Sequence, residues 1–444
     1  KKKAVIFLNS INTYDSNKQF YDMIKLNYHF SINDLTEACS FKEVFNEKIK
    51  ENNNLVLKIN IFCSFLENKI EEADFLNALL IDIDEDEYFQ KIYYNLRNQV
   101  NESVEFDSKS FSNDALALYS AMLRIGNLPL NEKLLEYDPI NLSLPIILSP
   151  ASDISLRLRS AHTAYFLDLF NSESLSALYQ SVDFNIKQLN NSSDSIKKFK
   201  NNPEMGMALL YQKSNIQLLP ITRLESLKEF WNYAKVQNFE ILSYDVSRNL
   251  IDSIQPSVEL SDFALLISRA HISNKNFEKA KNWISFSEKY FLDDSTPEYK
   301  ELQNIKLLYD LKTSQDMDTF INTLFDNNFF QGQDNNLTNN EILLTIISIL
   351  MDEDDDRLFL KQHKKLIDDR MMPSSYIIEK IIASSNNNNI GELILTTNVS
   401  LNGKKWSEIH PIHLKILFKS IKKSELEYII QDLIIEILEE SKII

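Results

Sequence analysis

Glycine is nearly absent from this sequence: 5 of its 444 residues are glycine, where average usage of about 7% would give roughly thirty. Phosphate-binding loops, dinucleotide-binding turns, nucleophile elbows and tight β-hairpins depend on glycine, because it adopts positive φ and permits close backbone approach. The glycines are too scattered to form any of these features: Gly126, Gly206, Gly332, Gly391 and Gly403. Their scarcity excludes the common glycine-dependent nucleotide-binding and hydrolase motifs.

Cysteine and long apolar runs are also scarce. The two cysteines, Cys39 and Cys63, are too few for a disulfide framework or a metal cluster. We interpret them as small buried apolar residues, with a single bridge or a redox role as the alternatives. The longest apolar run, Ile342 to Met351, contains a threonine and a serine and is about half of the roughly 20 residues that span a bilayer. We therefore expect no transmembrane segment in the sequence.

Positive charge is in deficit, with 47 Lys and Arg against 64 Asp and Glu and a net charge of -17. Nucleic-acid binding needs clustered basic residues, so we predict no nucleic-acid partner. A protein partner with basic segments would suit this charge. The chain begins with Lys1 rather than Met, so we expect preceding residues that could carry a targeting signal. A periplasmic or cell-envelope location is favoured over a cytoplasmic one.

Catalytic and metal-binding motifs are missing. The sequence contains no HExxH, GxSxG or P-loop pattern, and neither cysteine lies beside a histidine. The acidic stretches Asp82 to Glu87 and Asp352 to Asp356 lack the glycine and the last glutamate of an EF-hand, so we interpret both as solvated helix ends. His410 and His413 have no third ligand at metal spacing. We predict no catalytic, cofactor-binding or metal-ligating residues.

What the sequence has in abundance is helical periodicity, with apolar residues at i, i+3, i+4 and i+7 along almost every section. Pairs with capping-box spacing predict three helix starts, at Asp34 with Glu37, Thr222 with Glu225, and Ser424 with Glu427. Proline at the first helical position predicts three more, at Asn202-Pro203, Thr296-Pro297 and His410-Pro411, with capping side chains in the first two.

The start signals at Thr222, about Glu259 and Thr296 recur at an interval that holds two helices and their turns. Such an interval is typical of helical-hairpin arrays, in which each hairpin buries its apolar face against its neighbours. Within Ser261 to Phe291, four residues occupy the packing positions of a tetratricopeptide repeat: Ile267, Phe277, Ala280 and Ile284. This segment resembles that repeat, although it departs from the pattern at Ser268, His271 and Lys275.

The pattern of the upstream half also predicts three helix pairs. They are Glu71 to Leu80 with Asp86 to Val100, Asp114 to Ile125 with Asn131 to Tyr137, and Asp153 to Phe170 with Ser172 to Gln180. The stretches Leu123 to Asn131 and Leu175 to Gln180, with Arg157 and Arg159 between them, are similar to a group of uncharacterised bacterial helical-repeat proteins. The two resemblances imply an all-α fold, a right-handed α-α superhelix of stacked helical hairpins, and carry no activity.

Proline-rich Asp138 to Ser152 and asparagine-rich Asn327 to Asn340 are the plausible breaks. They divide the chain into helical arrays at 1–138, 153–327 and 339–444, unless all of it is one continuous solenoid.

The leading functional hypothesis is a noncatalytic protein-interaction scaffold. Aromatic residues line the binding grooves of many hairpin arrays, and the candidate partner-binding rings are Trp231, Tyr233, Tyr244, Trp283 and Tyr290. The alternative is a structural component of an envelope or membrane-associated assembly. A third hypothesis is a glycan or small-molecule hydrolase with a carboxylate site, which many acidic pairs would permit.

Overall fold

The chain is all-helical in its computed structural model. The structure describes residues 18–48, 54–84, 86–102, 104–105, 113–314 and 372–440, together with residues 316, 319, 320, 323 and 370. Within these ranges every regular element is an α-helix or a short 3-10 helix, and no strand occurs. The predicted all-α class is therefore confirmed at this level.

The α-helices are numbered here in chain order. In the first part of the chain they are α1 Lys18–Ser31, α2 Leu35–Lys48, α3 Asn54–Leu66, α4 Ile70–Ile81, α5 Glu87–Asn98, α6 Leu116–Ile125, α7 Glu132–Tyr137, α8 Pro139–Ile147, α9 Ile154–Phe166, α10 Ser172–Gln180, α11 Ile186–Asn190, α12 Ser192–Lys198, α13 Pro203–Asn215, α14 Pro220–Val236, α15 Glu240–Val246 and α16 Arg248–Ile251. They continue as α17 Ala264–Ser273, α18 Phe277–Ser287, α19 Pro297–Thr313, α20 Ser375–Asn386, α21 Ile390–Leu401, α22 Pro411–Lys422 and α23 Ile430–Glu440. Short 3-10 helices cover Asn113–Ala115, Val258–Phe263, Trp406–Glu408 and Glu427–Ile429.

The chain forms two compact units, Lys1–Asp252 and Ser253–Ile444. In the first unit α1 packs on α2 and α6, α3 packs on α4, and α8 packs on α6 and α9. Arg124 of α6 is buried and donates to the backbone carbonyls of Phe30 and Ser31 at the end of α1. A cation at a helix C-terminus satisfies carbonyls that lack a helical partner, so Arg124 fastens α1 to α6.

In the second unit α17, α18 and α19 pack together, α20 packs on α21 and α22, and α19 packs on α23. Its apolar core includes Ala280, Leu308, Ile381, Phe418 and Ile434, all buried. The core draws on helices from both sides of the gap in the described residues, which explains why 253–314 and 372–440 fall in one unit.

Asparagine takes the role that glycine has in most helix-ending turns. Six of the nine non-glycine residues with positive φ in the described ranges are asparagine. The nine are Asn33, Asn68, Gln99, Asn127, Asp168, Asn238, Lys275, Asn388 and Asn402. Asparagine tolerates the left-handed region because its short amide can hydrogen-bond locally. At Asn33 the next N–H bonds back to the carbonyl of His29 at 2.9 Å, the bond of a Schellman helix end.

Five helix pairs are joined by the same three-residue turn, in which the second residue has positive φ and the third precedes the next helix. The pairs are α1/α2, α3/α4, α14/α15, α17/α18 and α20/α21. The fourth residue of the second helix is buried in every pair, and it is small in four: Ala38, Ala73, Ser243, Ala280 and Leu393. A small side chain there lets the two helices approach closely. These five pairs are called the matched hairpins below.

The predicted repeat unit at 261–291 contains one matched hairpin, α17/α18. Ile267, Ala280 and Ile284 are buried as expected. Lys275 has a φ of 56°, a backbone conformation that glycine adopts more readily than lysine. The helix pairs written for the upstream half also form helices, close to the bounds drawn for them.

Most predicted helix starts are confirmed, with corrections in detail. The Thr296 hydroxyl accepts from the Tyr299 N–H at 3.2 Å, and the Asp34 carboxylate accepts from the Glu37 N–H. Asn202 makes no side-chain cap, whereas His410 does, through Nδ1 and the Ile412 N–H at 3.1 Å. The start at Thr222 is wrong by three positions, because the residue that precedes α14 is Leu219 and the helix begins at Pro220.

The break expected at 138–152 is wrong. Asp138 caps α8 by accepting from the Asn141 N–H at 3.0 Å, and Pro139 is the first residue of that helix. The prolines mark a helix start, since proline is favoured where the helical N–H has no partner. The other expected break, 327–340, and the acidic stretch 352–356 lie outside the described residues.

Candidate functional site

The predicted partner-binding aromatic residues do not form one exposed face. Trp231 and Tyr244 are buried with their rings edge to face at 5.4 Å, and the Trp231 Nε1 donates to the Ser247 hydroxyl at 3.0 Å. Trp283 is also buried and meets the Phe286 ring. The prediction that these rings meet a partner directly is wrong for Trp231, Tyr244 and Trp283, because stacked helices need large apolar residues between them.

The other two candidates differ from each other. Tyr233 is half-buried, and its ring lies against the backbone of Gly206, where an added Cβ would come within 2.4 Å of the Tyr233 Oη. This glycine is required for close approach, a role that only the contact reveals. Tyr290 is 42% exposed and packs beside Phe286 at 4.7 Å. Tyr290 is the one exposed residue among the five.

Cys39 of α2 and Cys63 of α3 form a disulfide, with their Cα atoms 5.7 Å apart. The interpretation of two separate buried thiols is therefore wrong, and the single bridge that was its alternative is correct. Cys63 is fully buried, and Cys39 is partly exposed. The bridge ties two of the matched hairpins, α1/α2 and α3/α4, to each other.

Two residues of the acidic stretch 82–87 belong to a buried charge cluster. The Lys58 ammonium on α3 is 1% exposed and lies 2.5 Å from the Asp86 carboxylate and 2.8 Å from the Asp84 carboxylate. The Tyr119 hydroxyl on α6 donates to Asp86 and accepts from Lys58 at 3.3 Å. Asp86 also caps α5 by accepting from the Phe89 N–H at 2.9 Å. Asp84 and Asp86 are thus not solvated helix ends, which corrects the prediction.

The geometry of this Lys58 cluster favours a structural role, because its ammonium is closed off from solvent. Its ammonium is enclosed by the rings of Phe89 and Tyr119, whose centroids lie 5.8 and 5.9 Å away. Burial raises the pKa of the neighbouring Tyr88, and the Asp86 charge raises it further. A substrate has no open path to a lysine that is 1% exposed. The cluster joins α3, α5 and α6 without exposing a reactive group.

A second buried polar pair lies between α9 and α10. The Tyr179 hydroxyl and the His162 Nε2 are 2.6 Å apart, and Nδ1 of His162 has no hydrogen-bond partner among the described residues. Burial lowers the pKa of His162 to about 3 and raises that of Tyr179. The imidazole is therefore neutral at physiological pH, so a charged catalytic role would be costly.

Glu204, at the start of α13, is one of the acids that the carboxylate-hydrolase hypothesis could use. It is buried, and burial raises its pKa, while its own backbone N–H and the Arg159 charge oppose that shift. Arg159 pairs instead with Glu132 at 2.5 Å. Hydrolysis by two carboxylates needs a second acid facing the first across the substrate, whereas the charge that acts on the Glu204 carboxylate is the cation of Arg159.

A cleft of about 550 Å³ lies between α4 and α5, within the usual size range of ligand pockets. Asn77 and Gln90 exchange two amide hydrogen bonds, each 3.0 Å, across its floor. Asp74 accepts from the Tyr93 hydroxyl at 2.8 Å and pairs with Arg97 at 3.0 Å. These contacts hold the two helices together.

The rim of this α4/α5 cleft is apolar and aromatic in part. Ile81 and Tyr94 are exposed there, beside the amide of Asn98. The Asn95 amide is buried, where it donates to the Lys91 carbonyl and accepts from the Glu102 N–H. Exposed rings with planar amides can recognise a neutral polar chain by stacking and hydrogen bonding. This cleft was not predicted from the sequence, where Asn and Tyr residues on successive turns of α5 are the signal for it.

Within the described ranges, no three His, Cys, Asp or Glu side chains are grouped to hold a metal ion. No described helix combines the length and apolar character needed to span a bilayer. No family model, no curated protein and no solved structure matches this chain.

Proposed function

We propose that the protein is a noncatalytic scaffold of helical-repeat type that binds another protein, with its hairpins stacked in a right-handed, tetratricopeptide-like superhelix. The observation that carries the proposal is the set of five matched hairpins, which share a turn and a buried residue at one position. Repeated hairpins of this kind serve most often as interaction surfaces. The net charge of -17 favours partner segments that are basic.

The α4/α5 cleft is the proposed contact for an extended segment of the partner. Asn77 and Gln90 satisfy each other with one donor and one acceptor apiece, and each amide keeps a further donor and acceptor site. An extended peptide offers alternating N–H and C=O groups that fit such amides. Ile81 and Tyr94 would contact its side chains.

Panning a library of linear peptides against the full chain tests this function. We expect enriched peptides whose affinity falls at least tenfold in the Tyr94→Ala variant, the loss typical of an interface hot spot. Tyr428→Ala is the matched control, because Tyr428 is also highly exposed and lies in the other unit. Recovery of no binding peptide would count against the proposal and favour an enzyme acting on a small molecule or glycan.

The disulfide favours a second candidate, a structural component of a cell-envelope assembly. Disulfides persist in oxidising compartments and are rare in the cytosol, and both cysteines of this chain are in the bridge. Maleimide labelling in intact cells of the source organism tests it. Both thiols should label only after reduction; labelling without a reductant would place the chain in a reducing compartment and remove this support.

A further inference from the structure

The turn between α13 and α14 displays apolar side chains to solvent. Residues 216–221, here called the apolar loop, contain four exposed large aliphatic residues: Ile216, Leu218, Leu219 and Ile221. Leu218 is 89% exposed and Leu219 is 63% exposed. Single exposed leucines are ordinary, but a contiguous group marks an interaction site.

The apolar loop is held in one conformation. Arg223 donates twice to the Gln217 carbonyl, at 3.1 and 2.7 Å, and once to the Leu250 carbonyl at 3.4 Å. Pro220 opens α14 directly after Leu219, which fixes the backbone there. A loop fixed before binding loses little conformational entropy when it binds, so its exposed leucines are preorganised for contact.

The charges around the loop indicate what it contacts. Residues 214–222 carry no charge, and the two flanking cations are engaged, Lys213 with Glu229 at 2.5 Å and Arg223 with backbone carbonyls. Insertion into an anionic membrane surface relies on free Lys or Arg beside the apolar residues. The loop has none at its base, so a protein surface suits it better than a bilayer.

The area of the loop argues against a dimer of this chain built on it. Its four side chains present on the order of 400 Å², about half of the roughly 800 Å² that each partner buries in a standard stable interface. A small convex apolar tip instead fits a concave apolar site, where a few desolvated side chains supply most of the binding energy.

We propose that the apolar loop docks in an uncharged apolar groove of a different protein, with Leu218 and Leu219 as the anchoring side chains. This contact rests on the proposed scaffold function and adds a second site to the α4/α5 cleft. It assigns a direct role to residues that the core does not use.

Site-specific photocrosslinking in the source organism tests the docking. The full chain carries p-benzoylphenylalanine in place of Leu218, or in place of Val236 as the control. Val236 is 76% exposed and lies at the other end of α14, about 24 Å away at 1.5 Å per residue. We expect one discrete crosslinked protein from position 218 and none from position 236. The crosslinked protein is identified by mass spectrometry and purified.

Affinity for that protein is then measured with two matched double variants. Leu218→Ser with Leu219→Ser should weaken binding at least tenfold, whereas Val236→Ser with Ile241→Ser should leave it within twofold. Ile241 is 67% exposed, so both variants remove two exposed aliphatic side chains, and both should keep the wild-type melting temperature.

Three results would overturn the proposal: no crosslink at position 218, a crosslink to a second copy of this chain, or equal affinities for the two double variants. Loop-dependent flotation of the full chain with phosphatidylglycerol vesicles would also overturn it in favour of a membrane. Peptide binding at the α4/α5 cleft is measured separately. If it persists while the crosslink fails, the loop proposal fails and the scaffold function stands.

Discussion

Replacing Lys58 by methionine should destabilise the first unit by about 3–4 kcal/mol. Methionine keeps most of the apolar stem, so the packing loss is below about 1.5 kcal/mol. The larger effect is electrostatic, because Asp86 is buried and loses the ammonium that lies 2.5 Å from it. Leaving one partner of a buried ion pair uncompensated costs about 3–5 kcal/mol. Tyr119 and the Phe89 N–H still contact Asp86, which places the expected loss toward the lower end.

Hydrogen exchange read by mass spectrometry is the appropriate assay, since it reports opening free energies for peptides from α3, α5 and α6 separately. Lys69→Met is the control: Lys69 makes an ion pair of similar length, 2.6 Å, with Glu67, but at an exposed position, where such pairs contribute little. Protection in α3, α5 and α6 should be unchanged in this control.

The double variant Lys58→Met with Asp86→Asn separates charge from packing. Asparagine is also a good helix cap, so it preserves the α5 start while removing the unpaired charge. The double variant should therefore lose less than the two single variants together. A Lys58→Met cost below about 1 kcal/mol, or strictly additive costs, would refute the claim that a desolvated charge pair joins these helices.

Three further outcomes follow from contacts elsewhere in the chain. Gly206→Ala should lower the free energy of unfolding, measured in urea, by about 1–3 kcal/mol, because the added Cβ would lie 2.4 Å from the Tyr233 Oη. An equal loss in a Tyr233→Leu background would contradict this. Burial lowers the pKa of His162 to about 3, whereas its pKa in the unfolded chain is about 6.5. Below about pH 6.5 the unfolded state therefore binds more protons than the folded state. Stability should then fall by up to about 1.4 kcal/mol per pH unit as the pH drops from 6.5 toward 3; a His162→Gln variant with the same slope would disprove it. Ala280→Asp should unfold the second unit by burying a charge. Its control is Lys281→Asp, at the exposed neighbouring position, which should leave the melting temperature unchanged. Wild-type thermal stability of the Ala280→Asp variant would contradict the hairpin packing.

Local features of the fold were predictable from the sequence, because their causes lie within a few residues. Thr296-Pro297 specifies a helix start through a cap and a proline, and His410-Pro411 specifies one through its proline. The same logic applies at Asp138-Pro139, where proline was taken for a break rather than a start. Local signals thus locate helices well, but their interpretation fails where one residue type has two structural roles.

The polar clusters were not predictable, because their partners are far apart in the chain. Lys58 and Asp86 are 28 positions apart, and nothing in either neighbourhood specifies the other. The Cys39–Cys63 bridge joins different helices, so proximity depends on how the hairpins pack. Burial of Trp231 has the same origin: an aromatic residue in a helical pattern fits core and surface equally until its neighbours are known.

The asparagine turns affect how this protein ages. An asparagine side chain slowly loses ammonia when the following backbone nitrogen attacks its amide, a reaction that glycine cannot undergo. The aspartate product is compatible with the turn, since Asp168 already has a φ of 53°. The isoaspartate product adds a methylene to the main chain and would disrupt the bond by which the N–H after Asn33 reaches the His29 carbonyl. Chemical damage during long storage should therefore loosen the hairpins at their turns while the apolar core is still intact.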